Sequence, residues 1–566
     1  MKRYSTAFLL IFLACHSDNT VAPNSGTGPA DVNGMSVGEV RVLTPSQVPN
    51  GLEFPAGTGV TDYLVVVGNS NPTPDVTATY VAKANLLSGS PQINQAVVSP
   101  FDGGGVIAEN AQDAAESRIR HFERARFKNL RSSVASNAGL RPRNDLRFAA
   151  VPAEGTTVTL HVPNEQSADI CTNFFTVTAV VKKVSNRAII LLDTQAPQFP
   201  NSFSDADYTA IAAEFDLKVF PTDSSYFGVP TDIDANSHVM LLYTTRVNDL
   251  TNPGEASFVG GFFFAGDLFP PTGTNSCAES NQAEIFYLLA PDPLATHGNV
   301  RTTATVRQGT RGTVAHEFQH MINAGNRIKS GASAFESVWL DEGLAHAAED
   351  AVGRVVDGFS DFQTLSDADI FQSGNPTLIN NYNAFFFQNL NRYKTWLLRP
   401  DTSSGISSRA DKNLSSRGAI WALLRWTGDN LSGGDFRDFT RKLAAGPDTG
   451  IKNLVAKANV PLDTILAGWL VTNYSDHTGI ANLATKYNYK GYNMRSVEPP
   501  VNQGNYPLQL NVVTTGTNLT TTTMSGSGVY FRVNLPAGTA RTVKFVDPGG
   551  ANLSFTGAHY YVLRID

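Results

Sequence analysis

The segment that most constrains this chain is GTVAHEFQHMINAGN, Gly312 to Asn326. His316, Glu317 and His320 spell H-E-x-x-H, and on an α-helix a spacing of four puts both imidazoles on one face. Val314, Phe318, Met321 and Ile322 gather on the other side, so the pattern predicts a helix with one face in a core and the other at a cleft. Two imidazoles one turn apart suit a tetrahedral zinc ion, and an open catalytic site of that kind needs a third protein ligand.

The segment VWLDEGLAHAAED offers that ligand. Drawn as a helix, it places Glu342, Ala345, His346 and Glu349 on one face and Leu344, Ala347, Ala348 and Ala351 on the opposite, packing face. Glu342 is read as the third ligand, and His346, one turn further on, is the rival donor. Glu349 either orients a ligating imidazole through its free N–H or is a solvent-facing carboxylate.

HEFQHMIN followed by WLDEGLAHAAED resembles the gluzincin metallopeptidases, and most closely the hyicolysin-type family of secreted bacterial enzymes. The resemblance runs residue by residue over the two motif helices and more loosely from Thr156 to Lys486. WLDEGLA is also similar to the WLNEGFA of zinc aminopeptidases. The resemblance implies a zincin-like catalytic domain, one zinc ion held by His316, His320 and Glu342, Glu317 as general base and acid, and a protein or peptide substrate. It also implies a Tyr or His that stabilises the tetrahedral oxyanion. Related enzymes often open the helix corresponding to SSRGAIWALLRW with Tyr, but Ser415, Ser416 and Arg417 stand there, leaving Tyr382, Tyr393, Tyr474 and His477 as candidates. The G-x-M-E-N by which related aminopeptidases grip a free N-terminus is missing, which favours an endopeptidase. The alternatives are an aminopeptidase or a surface-anchored binding protein that has lost turnover, the latter opposed by an intact Glu317.

With 566 residues, 42% of them hydrophobic and 16% charged, the chain is globular and too long for one core. Its 43 Lys and Arg against 50 Asp and Glu lack the basic excess that nucleic-acid binding needs, so nucleic acid is excluded as a partner. Lys2 and Arg3 precede an apolar run, Ala7 to Ala14, too short to span a bilayer, which reads as an export signal. The run meets Cys15 in a lipobox-like arrangement, with Phe12 where Leu is usual and Leu13 where a small residue is preferred. The chain is therefore expected outside the cytoplasm, either lipid-anchored to the cell envelope through Cys15 or released by an ordinary signal. Cys171 and Cys277 either pair in that oxidising compartment or are two buried thiols.

The expected fold class is multidomain α+β. After residues 1–15 comes a polar tether, 16–35, then a β-sandwich-like accessory domain, 36–105. Residues 106–150 carry Arg118, Arg120, Arg124, Arg126, Arg131, Arg141 and Arg143 without a clean apolar face, and read as a solvated connecting helix or a removable propeptide. Residues 151–498 form the catalytic domain, a mixed sheet leading into the active-site helix and then a mainly helical part, and 499–566 a second small β domain. Within the sheet, Phe258 to Asp267 (FVGGFFFAGD) is either an edge strand for an extended peptide, its three Phe favouring apolar substrate side chains, or a buried strand. Asp232, Asp234 and Asn236 are spaced like the first ligands of a calcium loop, yet Tyr243 takes the place of the closing Glu, so an Asx-type turn is expected rather than a structural Ca2+ site.

Overall fold

The computed structural model describes residues 31–86, 111–130, 145–255, 258–410, 413–497 and 506–566; Cys15, most of the polar tether, Arg131, Arg141 and Arg143 lie outside them. The N-terminal segment supplies strands β1 (Val40–Leu43), β2 (Leu52–Phe54), β3 (Thr61–Asn69) and β4 (Thr77–Leu86). The middle of the chain supplies β5 (Thr157–Pro163), β6 (Phe174–Val184), β7 (Ala188–Asp193), β8 (Val239–Thr244), β9 (Gly261–Phe263) and β10 (Ile285–Leu289). The C-terminal segment adds β11 (Asn511–Val512), β12 (Asn518–Met524), β13 (Ser527–Leu535), β14 (Arg541–Val546) and β15 (Ala558–Arg564).

Two separate β domains, as expected from the sequence, are not what forms. The end segments interleave in two sheets, β1-β15-β3-β13-β11 and β12-β4-β14-β2. Val65 on β3 lies opposite both Phe531 and Val562, and Val81 on β4 opposite both Thr520 and Val546. The reason is edge closure: either segment alone would leave long apolar strands with unpaired backbone, and interleaving satisfies both. Strand alternation then splits β3 between two cores. Val65 and Val67 face the sandwich interior with Tyr80, Phe531 and Phe545, while Leu64 and Val66 belong to the larger core below.

The second layer is a six-stranded mixed sheet, β5-β6-β7-β8-β10-β9. Strand β8 runs parallel to β7 and β10, and β9 is an antiparallel edge strand on β10. Strands β7, β8 and β10 are buried throughout, which is why AIILLD, VMLLYT and IFYLL are continuous apolar runs.

Six helices matter to the site: α1 (Ala111–Arg126), α2 (Thr303–Lys329), α3 (Val338–Asp357), α4 (Phe387–Leu398), α5 (Leu414–Asn430) and α6 (Leu462–Ser475). Thr302 caps α2 by accepting from Thr305 N, and the apolar face of α2 docks on the sheet, Phe318 packing against Phe215, Phe220 and Phe286. Two glycines set the close helix crossings. A Cβ at Gly343 of α3 would lie 2.6 Å from Ile420 Cγ1 on α5, and one at Gly418 of α5 would lie 2.1 Å from the Tyr393 backbone nitrogen on α4. A disulfide joins Cys171, between β5 and β6, to Cys277, between β9 and β10. Among the described residues no single helix is long and apolar enough to cross a membrane.

Helix α1 is not a solvated connector. Ala115 and Ile119 sit in the larger core, and Glu116, Arg120 and Glu123 are buried as well. These buried charges find partners: Glu116 meets Arg417, and Arg120 meets Glu123 and Glu317.

Candidate metal centre

Helices α2 and α3 cross so that His316, His320 and Glu342 converge. Glu342 Oε2 lies 3.5 Å from His316 Nε2, and Oε1 lies 3.9 Å from His320 Nε2. All three side chains are buried, Glu342 completely, and neither Nε2 has a hydrogen-bond partner. Buried polar atoms left unpaired are costly, and these lie close enough together to share one cation. Two imidazole nitrogens and a carboxylate are the donor set for a zinc ion with an open position.

The outer nitrogens are held from behind. Glu349 Oε1 is 2.8 Å from His316 Nδ1, and Asp341 Oδ1 is 3.2 Å from His320 Nδ1. The Glu349 bond fixes the His316 ring so that its Nε2 faces the centre, while Asp341 is an ion-pair neighbour of His320. Burial works against a charged His316, but Glu342 and Glu349 outweigh it and hold its pKa well above the usual histidine value. Burial is likewise overcome at Glu342, where Arg417 and the two imidazoles hold the carboxyl well below its usual range.

His346 is turned away from this role. Its Nε2 lies 2.8 Å from Arg392 Nη1, and a guanidinium only donates, so that lone pair is spent on Arg392. Its Nδ1 is 3.1 Å from Glu349 Oε1, the same oxygen that meets His316. Burial and Arg392 prevail over Glu349 and bring the His346 pKa down to about 4, a neutral ring at ordinary pH.

Glu317 sits beside the triad with Oε2 accepting from Phe263 N at 2.9 Å and lying 3.5 Å from Arg120 Nη2. Burial raises its pKa against the pull of His316, His320 and Arg120. A cleft of about 320 Å³ opens on this group, lined by Glu317 together with Phe258, Gly260, Thr313, Ala384 and Arg417.

The four candidate oxyanion groups are not part of that lining. Tyr382 packs edge-on against Phe371, and Tyr393 donates to Asn473 of α6. Tyr474 lies beside Arg495, and His477 is paired with Asp476. Each serves packing or a polar network elsewhere. Arg417 does face the cleft, with Nη1 3.1 Å from Glu342 Oε2 and Nε donating to the Ala410 carbonyl at 2.9 Å. Nor do the three consecutive phenylalanines form a cleft wall: Phe262 stacks on Tyr287, and Phe263 and Phe264 are core residues. Strand β9 is both an edge strand and buried, because α1 covers its open side.

Asp232, Asp234 and Asn236 form the expected turn. Asp232 accepts from Ser237 N, Asp234 accepts from the Asn236 side chain, and Ala235 and Ser237 have positive φ. Glu284, far away in sequence, completes a three-carboxylate group with the two aspartates.

Sequence reasoning missed Asp341, Arg392, Arg417, Glu116 and Arg120. Asp341 adjoins Glu342, and Arg417 was noticed only as a departure from Tyr. Gln112, Glu116, Arg120 and Glu123 recur at helical spacing, a stripe that the many arginines of the segment concealed.

The fold and the site together define a buried two-histidine, one-carboxylate donor cluster with a glutamate beside it, at the edge of a mixed sheet. No protein-family model matches the chain. Over 150 residues, 26% of this chain, it is 33% identical to a protein named neutral metalloprotease ShpI from Staphylococcus hyicus. The chain spans 32% of that relative's length.

Proposed function

We propose that the chain is a zinc metalloendopeptidase acting outside the cytoplasm, with a zincin-like core made of the six-stranded sheet, α2 and α3. The observation that carries this reading is the convergence of two unpartnered, buried Nε2 atoms and the Glu342 carboxylate beside Glu317. The partial likeness to a protein named a neutral metalloprotease supports the peptidase class. Export fits the N-terminal signal-like run and the Cys171–Cys277 disulfide, which belongs to an oxidising compartment.

In this reading His316, His320 and Glu342 hold the zinc, while Glu349 orients the His316 imidazole and Asp341 is the ion-pair neighbour of His320. A zinc ion bound there supplies a Lewis acid that polarises a carbonyl and acidifies water. Glu317 takes the proton from the attacking water and returns it to the leaving amine nitrogen, a role that suits a carboxyl whose pKa burial has raised. Arg417 is the cation placed to meet the negative charge that develops on the carbonyl oxygen, in the role that Tyr or His fills in related enzymes. The deciding experiment measures zinc by elemental analysis and cleavage of an N-blocked peptide, for the parent, Glu342→Ala and Glu317→Gln. One zinc per chain, chelator-sensitive cleavage, loss of zinc in the first variant and loss of cleavage alone in the second are expected. A parent without zinc would sink the reading.

A further inference from the structure

Helix α1 lies along the open edge of β9, and one stripe of its side chains makes the contacts there. Gln112 donates to the Gly261 carbonyl at 3.0 Å and accepts from Gly260 N at 2.7 Å. Arg120 Nη1 donates to the Phe263 carbonyl at 3.3 Å, and Glu123 Oε1 accepts from Ala265 N at 2.6 Å. Gly261 and Phe263 are two apart, so the backbone groups that β10 does not use point the same way, outward from the sheet, where Glu317 takes the Phe263 N–H and α1 the two carbonyls. An extended peptide adding to β9 would need these same groups.

Between those contacts the stripe reaches the centre itself. Glu116 Oε2 lies 2.5 Å from Arg417 Nη2, and the Glu116 carboxylate forms one close group with His316 and Glu317. Arg120 spans Glu123 and Glu317, its Nη1 3.0 Å from the first and its Nη2 3.5 Å from the second. Ala115 and Ile119 flank the stripe and are buried in the core, the opposite side of α1 (Arg118, His121, Ala125) is exposed, and just beyond the helix Phe127 stacks on Phe269 with ring centroids 4.3 Å apart.

We infer that α1 is a resident occupant of the substrate groove, which holds the folded chain in a self-inhibited form; this rests on the peptidase reading above. The α1 stripe stands in for a peptide backbone along β9. Glu116 sits where the reacting carbonyl of a substrate would meet Arg417, and Arg120 neutralises the base. Substrate enters only when α1 leaves the groove.

The test uses the full-length, zinc-loaded chain and the variant Arg120→Ala. Three quantities are read: cleavage of an N-blocked peptide, calorimetric affinity for a peptide hydroxamate, and the rate at which an added protease cuts within α1. Losing contacts to a charged group biases the closed state by roughly tenfold or more, so all three are expected to rise by about that factor. Should Arg120→Ala fail to fold, Gln112→Ala carries the test, since it removes two contacts to β9 while sparing the charges at the centre; a smaller rise of the same sign is expected. Folded, zinc-loaded variants whose hydroxamate affinity and cleavage stay level or fall would overturn the inference and make α1 part of the working site. A parent and variants that all lack zinc would fail the peptidase reading first, and the inference with it.

Discussion

Glu349→Gln tests how the centre is held, because it removes one negative charge while keeping the shape of the side chain. In the parent, one oxygen of Glu349 meets His316 Nδ1 at 2.8 Å and His346 Nδ1 at 3.1 Å. A hydrogen bond to a charged group contributes about 1.5–3 kcal/mol, and a neutral one about 0.5–1.5 kcal/mol. The variant therefore weakens the hold on His316 by about 1–2 kcal/mol, and the proposed ligand also loses basicity. With about 1.4 kcal/mol per factor of ten, zinc affinity is expected to fall roughly 5- to 30-fold, near the range seen when a ligand's hydrogen-bond partner is removed. The assay is competition with a chromophoric chelator at fixed pH and salt, with thermal unfolding of the zinc-free proteins as a check on the fold. A zinc affinity within twofold of the parent, in a protein that melts normally, would refute the claim that Glu349 orients His316.

Further consequences concern catalysis and stability. Arg417→Met is expected to lower kcat by roughly 10²–10³-fold with a smaller change in KM, measured by steady-state kinetics on an N-blocked peptide; a kcat within threefold of the parent would remove Arg417 from the oxyanion role. Asp267 is fully buried, and burial prevails over its bonds from Tyr287 and Asn281 to push its pKa up to about 7 from 3.8. The folded state thus binds the extra proton, its contribution is fully present below about pH 4 and is lost as pH rises to about 7, with a slope of at most about 1.4 kcal/mol per pH unit. Urea unfolding of Asp267→Asn from pH 4 to 8 should show that slope removed, and an unchanged slope would count against the assignment. Gly418→Ala pushes a methyl against the α4 backbone and is expected to cost about 1–3 kcal/mol, read as a lower melting temperature. Cys171→Ser frees a link across 106 residues and is expected to cost about 2–5 kcal/mol, read as a lower urea midpoint than that of the oxidised parent.

Much of the local structure was legible in the chain. The helix over Thr303–Lys329 follows from its apolar periodicity and places His316 and His320 one turn apart; the second helix, Val338–Asp357, follows in the same way. The central strands showed as short β-branched and aromatic runs between turn residues. Less legible was everything that joins distant segments. The β runs at the two ends looked like two modules because each has its own alternation, and alternation does not say which strands will pair. Whether FVGGFFFAGD was an open edge or a buried strand stayed undecided, because nothing within it reveals that α1 will lie along that edge.

Spacing is the physical divide. The covalent chain carries the rise and turn of a helix with it, so the sequence alone determined that two imidazoles would share one face, and that Glu342, His346 and Glu349 would share another. Which of these donors meets its neighbours, and which is spent elsewhere, depends on side chains distant in the chain, 46 residues away for Arg392 and His346 and 197 for Arg120 and Glu317. Only the tertiary structure could turn His346 toward Arg392, set Arg417 rather than a tyrosine at the cleft, and lay the polar stripe of α1 over Glu317. Those choices are made by desolvation: a buried charge must find a partner, and the fold, not the local pattern, decides which partner is within reach.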